Sequence, residues 1–183
     1  MTELAGAATG DIEMRGAGEA HATEIRFNGR NIVTRSFTAA TAEGNINIAT
    51  LFGVPRPEGQ VKLAKARIGG QRFDSATVTA KATGTNTYRT AVKLAGPDLS
   101  LDADAVVTPG SSGARYAVSR LAGKLRGIPF SASAPLVLQQ AGETVTLEPA
   151  RLAIGKGNIR VGGRLLPDLK ATVTVQSLPL AAF

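Results

Sequence analysis

The chain has 183 residues, a length that suggests one domain or one and a half. Hydrophobic residues make up 43% and charged residues 19%, which argues against a disordered chain; cysteine is absent, which excludes disulfides, thiolate zinc sites and a cysteine nucleophile. The net charge of +7 is C-terminal: 5 basic and 7 acidic residues run up to Glu58, and 16 and 7 lie beyond it. The excess is dispersed rather than clustered, and favours anionic partners in general.

Met1 to Ala7 has neither a basic nor an apolar leader region, so any export signal is expected upstream. No window approaches the roughly 18 apolar residues of a membrane-spanning helix. The recurring signal is instead alternation with period two, which puts successive side chains on opposite faces of a strand. In chain order it marks Ile46/Ile48 and Val61/Leu63, then Ala76 to Thr83, where Val78, Ala80 and Ala82 alternate with Thr77, Thr79 and Lys81. Asp98 to Val107 is the clearest case, with Leu99, Leu101, Ala103, Ala105 and Val107 against Asp98, Ser100, Asp102 and Asp104. Further pieces are Ile128/Phe130, Leu136/Leu138, Val145/Leu147, Leu152/Ile154, Ile159/Val161 and the run Leu169, Ala171, Val173, Val175. Tyr116 to Leu125 comes closest to a helical pattern, but Gly123 and its β-type neighbours make it a strand.

Turn signals punctuate these runs: Asn28-Gly29, Glu43-Gly44-Asn45, Gly69-Gly70, Gly84 to Asn86, Gly96-Pro97, Pro109 to Gly113, Ala141-Gly142, Gly155 to Gly157 and Pro167-Asp168. The reading is all-β: an extended antiparallel meander of about 13–15 strands, with little or no helix. It forms one continuous unit over residues 1–183, with Pro109 to Gly113 as its one candidate long loop. The apolar face is rich in Ala, Val, Leu and Gly and short of bulky residues. Composition leaves two architectures open, a closed Ala-rich sandwich and an open trough lined by aliphatics.

Catalytic signals are weak. His21 is the only histidine and reads as a solvated loop residue, with no metal set around it. Asp102 and Asp104 share a strand face, which a polar outer surface explains without acid–base chemistry. No Gly-x-Ser-x-Gly elbow occurs, and Gly155-Lys156-Gly157 reads as a hairpin turn, without the helix that a phosphate loop needs. Basic residues including Lys62, Lys65, Arg67, Arg72, Lys81, Arg89, Lys93, Arg115, Arg120, Lys124 and Arg126 lack the interleaved aromatics of a nucleic-acid binder. The expectation is no enzyme, no metal, no cofactor and no nucleic-acid partner.

From Gly127 onward, the strand Pro135-Leu136-Val137-Leu138, the strand ending near Leu147, the Ala150 to Gly163 segment (ARLAIGKGNIRVGG) and the closing Asp168 to Leu180 strand succeed one another. In that order they resemble the TamB family of bacterial translocation and assembly proteins, kin to AsmA-like and bridge-like lipid transfer proteins. The central stretch, from Gly59 through Arg67-Ile68-Gly69 to Asp74 to Val78, shares the family's rhythm. Together these cover about two thirds of the chain.

That resemblance implies a twisted, groove-shaped sheet, a β-taco, that shields lipid tails between the two membranes of a Gram-negative envelope. Phospholipid would be cargo rather than cofactor. An outer-membrane barrel of the TamA type would be a partner, and the location would be the periplasm. The family's N-terminal inner-membrane anchor and C-terminal barrel-docking domain have no counterpart in these residues, which look like a middle-to-late groove segment. The groove lining would be Ile46, Ile48, Val61, Leu63, Val78, Ala80, Leu99, Leu101, Ala103, Ala105, Ile128, Phe130, Leu136, Leu138, Val145, Leu147, Leu152, Ile154, Ile159, Val161, Leu169, Val173 and Val175. A structural or adhesive β-solenoid is the competing class, and a periplasmic sandwich binding module a third.

Overall fold

A computed structural model describes residues 5–16, 21–34, 37–49, 56–68 and 71–176. Alternation at this density has one outcome, and every regular element among the described residues is a strand. The first half holds β1 (Ala5–Arg15), β2 (Ala22–Val33), β3 (Phe37–Ala49), β4 (Arg56–Ile68), β5 (Gln71–Gly84), β6 (Thr87–Ala95) and β7 (Leu99–Gly110). The second half holds β8 (Gly113–Leu125), β9 (Ile128–Ala132), β10 (Leu136–Ala141), β11 (Thr144–Ile154), β12 (Gly157–Leu166) and β13 (Lys170–Gln176). All 13 belong to one sheet, and chain order is spatial order.

β9 and β10 occupy a single position between β8 and β11, because each pairs with both of those strands. The break between them contains Pro135, which has no N–H to give a ladder. Ser133 bridges the gap, donating its backbone N–H and its Oγ–H to the Arg151 carbonyl. Every pairing is antiparallel. A coil-stacked parallel solenoid would not give that pattern, and no second layer covers the sheet among the described residues.

Three details depart from the sequence reading. Asn28-Gly29 and Glu43-Gly44-Asn45 are not turns but lie inside β2 and β3. Gly44 is needed there as a floor: its register partner is Phe27, whose ring occupies the space a Cβ on Gly44 would take. Gly123 and Phe130 repeat the device, with the ring Cζ 2.7 Å from the position of such a Cβ. The supposed long loop at Pro109 to Gly113 is a tight hairpin, with only Ser111 and Ser112 between strands. Gly69-Gly70 lies outside the described residues.

Left-handed residues re-aim side chains within strands. In β2, Asn31 has φ 52°, and Ile32 beyond it lies over Gly29, its Cδ1 2.8 Å from where a Gly29 Cβ would sit. Strict alternation would put residues 29 and 32 on opposite faces, so Asn31 returns Ile32 to the apolar one. In β4, Lys65 has φ 47°, and the register partners Ala66 and Phe73 past it are buried.

Burial is thin elsewhere. Among the described residues, a packed cluster centres on Leu136, Leu147 and Ala150, with Val118, Leu121, Leu138, Leu152, Val161 and Leu165 against it. It sits in the C-terminal half, where β11 bulges around Glu148 and Pro149.

Candidate functional site

Register pairing carries the alternation of each strand across the sheet into rungs, whose side chains lie on one face at contact distance. One rung runs Ile12, Ile25, Ile46, Gly59, Ala80, Thr90, Ala105, Val118 and Leu136. The next runs Gly10, Phe27, Gly44, Val61, Val78, Val92, Ala103 and Leu121. A third runs Ala8, Gly29, Ala42, Leu63, Ala76, Leu94, Leu101, Gly123, Phe130 and Ile154. These three rungs are a continuous apolar strip, interrupted only by the hydroxyl of Thr90.

The strip accommodates most of the residues singled out from sequence. Leu99 and Ile128 both pair with Leu125 at one end of it. Ile48 pairs with Thr23 and Pro57 at the other end. Toward β13 the ladder continues through Leu138/Leu147, Leu152/Ile159/Val175 and Val161/Val173, with Val145 opposite Leu166. Leu169 alone falls outside a strand, in the turn before β13. Ile12, Ile25, Phe27, Val92, Leu94, Val118 and Leu121 also lie on the strip and were not singled out from sequence. For Ile25 and Phe27 the signal was their own alternation, hidden by reading Asn28-Gly29 as a turn.

The strip is partly open. Ile12 at the β1 edge is 70% exposed and Val78 in mid-sheet 44%; most of its other side chains are half-buried, and Ala42, Ala76 and Leu136 are buried. A soluble chain does not normally leave a continuous apolar surface of this kind uncovered.

The opposite face is polar and charge-matched. One rung there runs Thr9, Asn28, Glu43, Lys62, Thr77, Lys93 and Asp102; another runs Asp11, Arg26, Asn45, Gln60, Thr79, Ala91, Asp104 and Arg120. Arg120 Nη2 lies 3.1 Å from Asp102 Oδ2, and Arg26 donates to Glu24 Oε1. Recesses on this polar side include one of about 710 Å³ beside Arg26, Glu43 and Lys62 and one of about 360 Å³ around Lys93, Asp102 and Arg120; a further one of about 470 Å³ is lined by both faces, with Gly59 and Ala80 beside Thr79, Lys81 and Arg89.

Among the described residues, the side chains weighed for catalysis are not brought into one group. Asp102 and Asp104 are cross-strand partners of Ala122 and Arg120, and Asp102 is held by Arg120 in an ion pair. His21 precedes β2, and among the described residues no three His, Cys, Asp or Glu side chains come together. Gly155 and Lys156 form the turn between β11 and β12, with strands on both sides.

Burial changes the acidity of Tyr88. Its register places it beside Val107, which pairs in turn with Tyr116. Loss of solvent raises the Tyr88 pKa, and repulsion from Tyr116 raises it further. Tyr116 Oη donates to Gln140 Oε1 at 2.8 Å.

No family model, no curated protein and no solved structure matches the chain.

Proposed function

We propose that this chain is a non-catalytic, lipid-shielding segment of a TamB-like envelope protein. It carries phospholipid between inner and outer membranes, or supports outer-membrane protein assembly, from the periplasm. The observation that carries this reading is the single-layer sheet with one continuous, half-buried apolar strip that no second layer covers among the described residues.

Protein partners grip through anchors such as Trp, Tyr and Arg seated in pockets. This strip has few of them: it is Ala, Val, Leu, Ile and Gly, with rings at Phe27 and Phe130. Such a surface suits a partner that is fluid and apolar along its length. Acyl chains gain about 0.8 kcal/mol per CH₂ removed from water, from any stretch of the strip. Affinity spread in this way holds cargo without fixing it, and permits sliding. The envelope location and the barrel partner of the TamA type rest on the family resemblance of the C-terminal two thirds.

Photo-crosslinkers at Val78, Leu101 and Val173 should label acyl chains in cells, and probes at Thr77, Asp102 and Thr174 on the other face should not. Mass spectrometry after organic extraction should find stoichiometric phospholipid on the purified protein. A lipid-free protein, or equal labelling from both faces, rules the proposal out.

A further inference from the structure

Polar side-chain atoms on the apolar face are confined to one half of it. Of the strip's three rungs, the one nearest the β5–β6 and β7–β8 turns carries Thr90. The next rung outward on that side runs Ala82, Tyr88, Val107, Tyr116 and Leu138, and on the first strands Thr23 takes the same place between Met14 and Ile48. Gln140 stands one place further out, beyond Leu138 on β10. The rung next outward on the opposite side holds the pairs Ile32/Ala39, Ala66/Phe73 and Leu99/Leu125. None of these carries a polar side-chain atom.

The polar atoms at the first end form a group. Tyr88 and Tyr116 flank Val107 from both sides, and Val107 is 2% exposed. Tyr116 Oη donates to Gln140 Oε1, and Gln140 Nε2 donates to the Gly142 carbonyl. Tyr88 Oη has no hydrogen-bond partner among the described residues. Burial favours its protonated form, so it is a donor that lacks an acceptor. Hydrocarbon laid over this end would strip water from that O–H and return nothing, whereas an ester carbonyl would accept from it. The opposite end has no polar atom to lose.

We infer that phospholipid lies along the strands, with its ester carbonyls at Tyr88, Tyr116 and Gln140 and its tails running toward Leu99 and Leu125. The inference rests on the lipid-shielding reading. It adds an orientation, and a preference for ester-linked amphiphiles over plain hydrocarbon. One leaflet holds about 15 Å of tail, or roughly four to five residues of strand. Tails that start at Val107 therefore end near Ala103, still on the strip. Tyrosine suits the boundary, because its ring packs against apolar groups while its hydroxyl meets polar ones.

The full chain has no cysteine, so Ala114→Cys, beside Gln140 and Tyr116, and Ala103→Cys each give one site for a bimane label. Each labelled protein is loaded from phosphatidylcholine vesicles, the vesicles are sedimented, and quenching by a nitroxide is read on the soluble fraction. A nitroxide on the headgroup should quench position 114 several-fold more than position 103, and one at the tail end should do the reverse. Y88F/Y116F keeps both rings and should retain about fivefold less phosphatidylcholine, as for the loss of one net hydrogen bond. Its binding of diphenylhexatriene, a hydrocarbon without polar atoms, should not change. Equal or reversed quenching overturns the inference while leaving the strip as a lipid site. So does unchanged phosphatidylcholine retention in Y88F/Y116F, or a parallel loss of diphenylhexatriene. The labelled proteins keep both tyrosines, which covers the case where the double variant does not fold. A wild type that takes up no phosphatidylcholine sinks the lipid-shielding reading itself, and the orientation with it.

Discussion

Phe27 lies flat across Gly44 on the neighbouring strand, filling the space where any larger residue would carry its Cβ. The ring takes over the packing that glycine cannot supply, and glycine leaves the ring room. Gly44→Val should displace the ring and lower stability by about 1–3 kcal/mol, the usual cost of overpacking. Gly110→Ala, where no atom comes closer than 3.7 Å to the new Cβ, should be close to neutral. Urea denaturation midpoints compare the two directly, and equal midpoints would contradict the packing described for Phe27.

Val107 is 2% exposed, whereas Val173 on the same face is 55% exposed. Val107→Ala should cost about 2 kcal/mol, from two lost methyl groups and an incompletely closed cavity. Val173→Ala should cost less than about 0.5 kcal/mol. If both truncations cost the same, the sheet's stability is not concentrated where burial places it.

Thr23 Oγ1 is buried on the apolar face with no hydrogen-bond partner among the described residues. Thr23→Val keeps the shape and removes an unsatisfied polar group, so stability should rise by about 1 kcal/mol. A drop in the denaturation midpoint would show that the hydroxyl has a partner.

Tyr88 links stability to alkaline pH. Burial, with Tyr116 adding to it, raises its folded pKa above the ordinary tyrosine value of about 10. A raised folded value means that the native state holds the proton more tightly than the unfolded state does. Its stabilising contribution is therefore complete below about pH 10 and lost as pH rises through the folded value. Absorbance titration near 295 nm should show a component missing from Tyr88→Phe, and that variant should lose less stability between about pH 9 and pH 11. Identical alkaline profiles would remove Tyr88 from the account.

Arg126→Gly should stabilise the chain by about 1 kcal/mol, since glycine adopts φ 48° without the strain an arginine bears. A destabilised variant would mean that the arginine is held by contacts in the folded protein.

Much of the sheet was legible in the sequence because alternation is a local property. Leu99 to Val107 displays its two faces without reference to any other strand, and register then carries that division across its neighbours. The glycines of β2 and β3 were illegible for the opposite reason. Gly29 and Gly44 look like turns until Ile32 and Phe27 are seen filling the space above them, and those contacts depend on a left-handed residue and on a cross-strand partner. Alternation likewise failed past Asn31 and Lys65, where one backbone angle reverses the facing of the residues beyond it. Pro109 to Gly113 resembled a loop by composition, although two serines suffice to turn the chain.

Pairing only between successive strand positions makes the sheet extensible in steps of two. If β5 and β6 were deleted together, β4 and β7 would still run antiparallel, and Val61 would meet Ala103 on the apolar side. Loss of one strand alone would set two parallel strands side by side, which no short turn can join. Evolution can therefore lengthen or shorten such a track by whole hairpins while keeping its water-avoiding side unbroken.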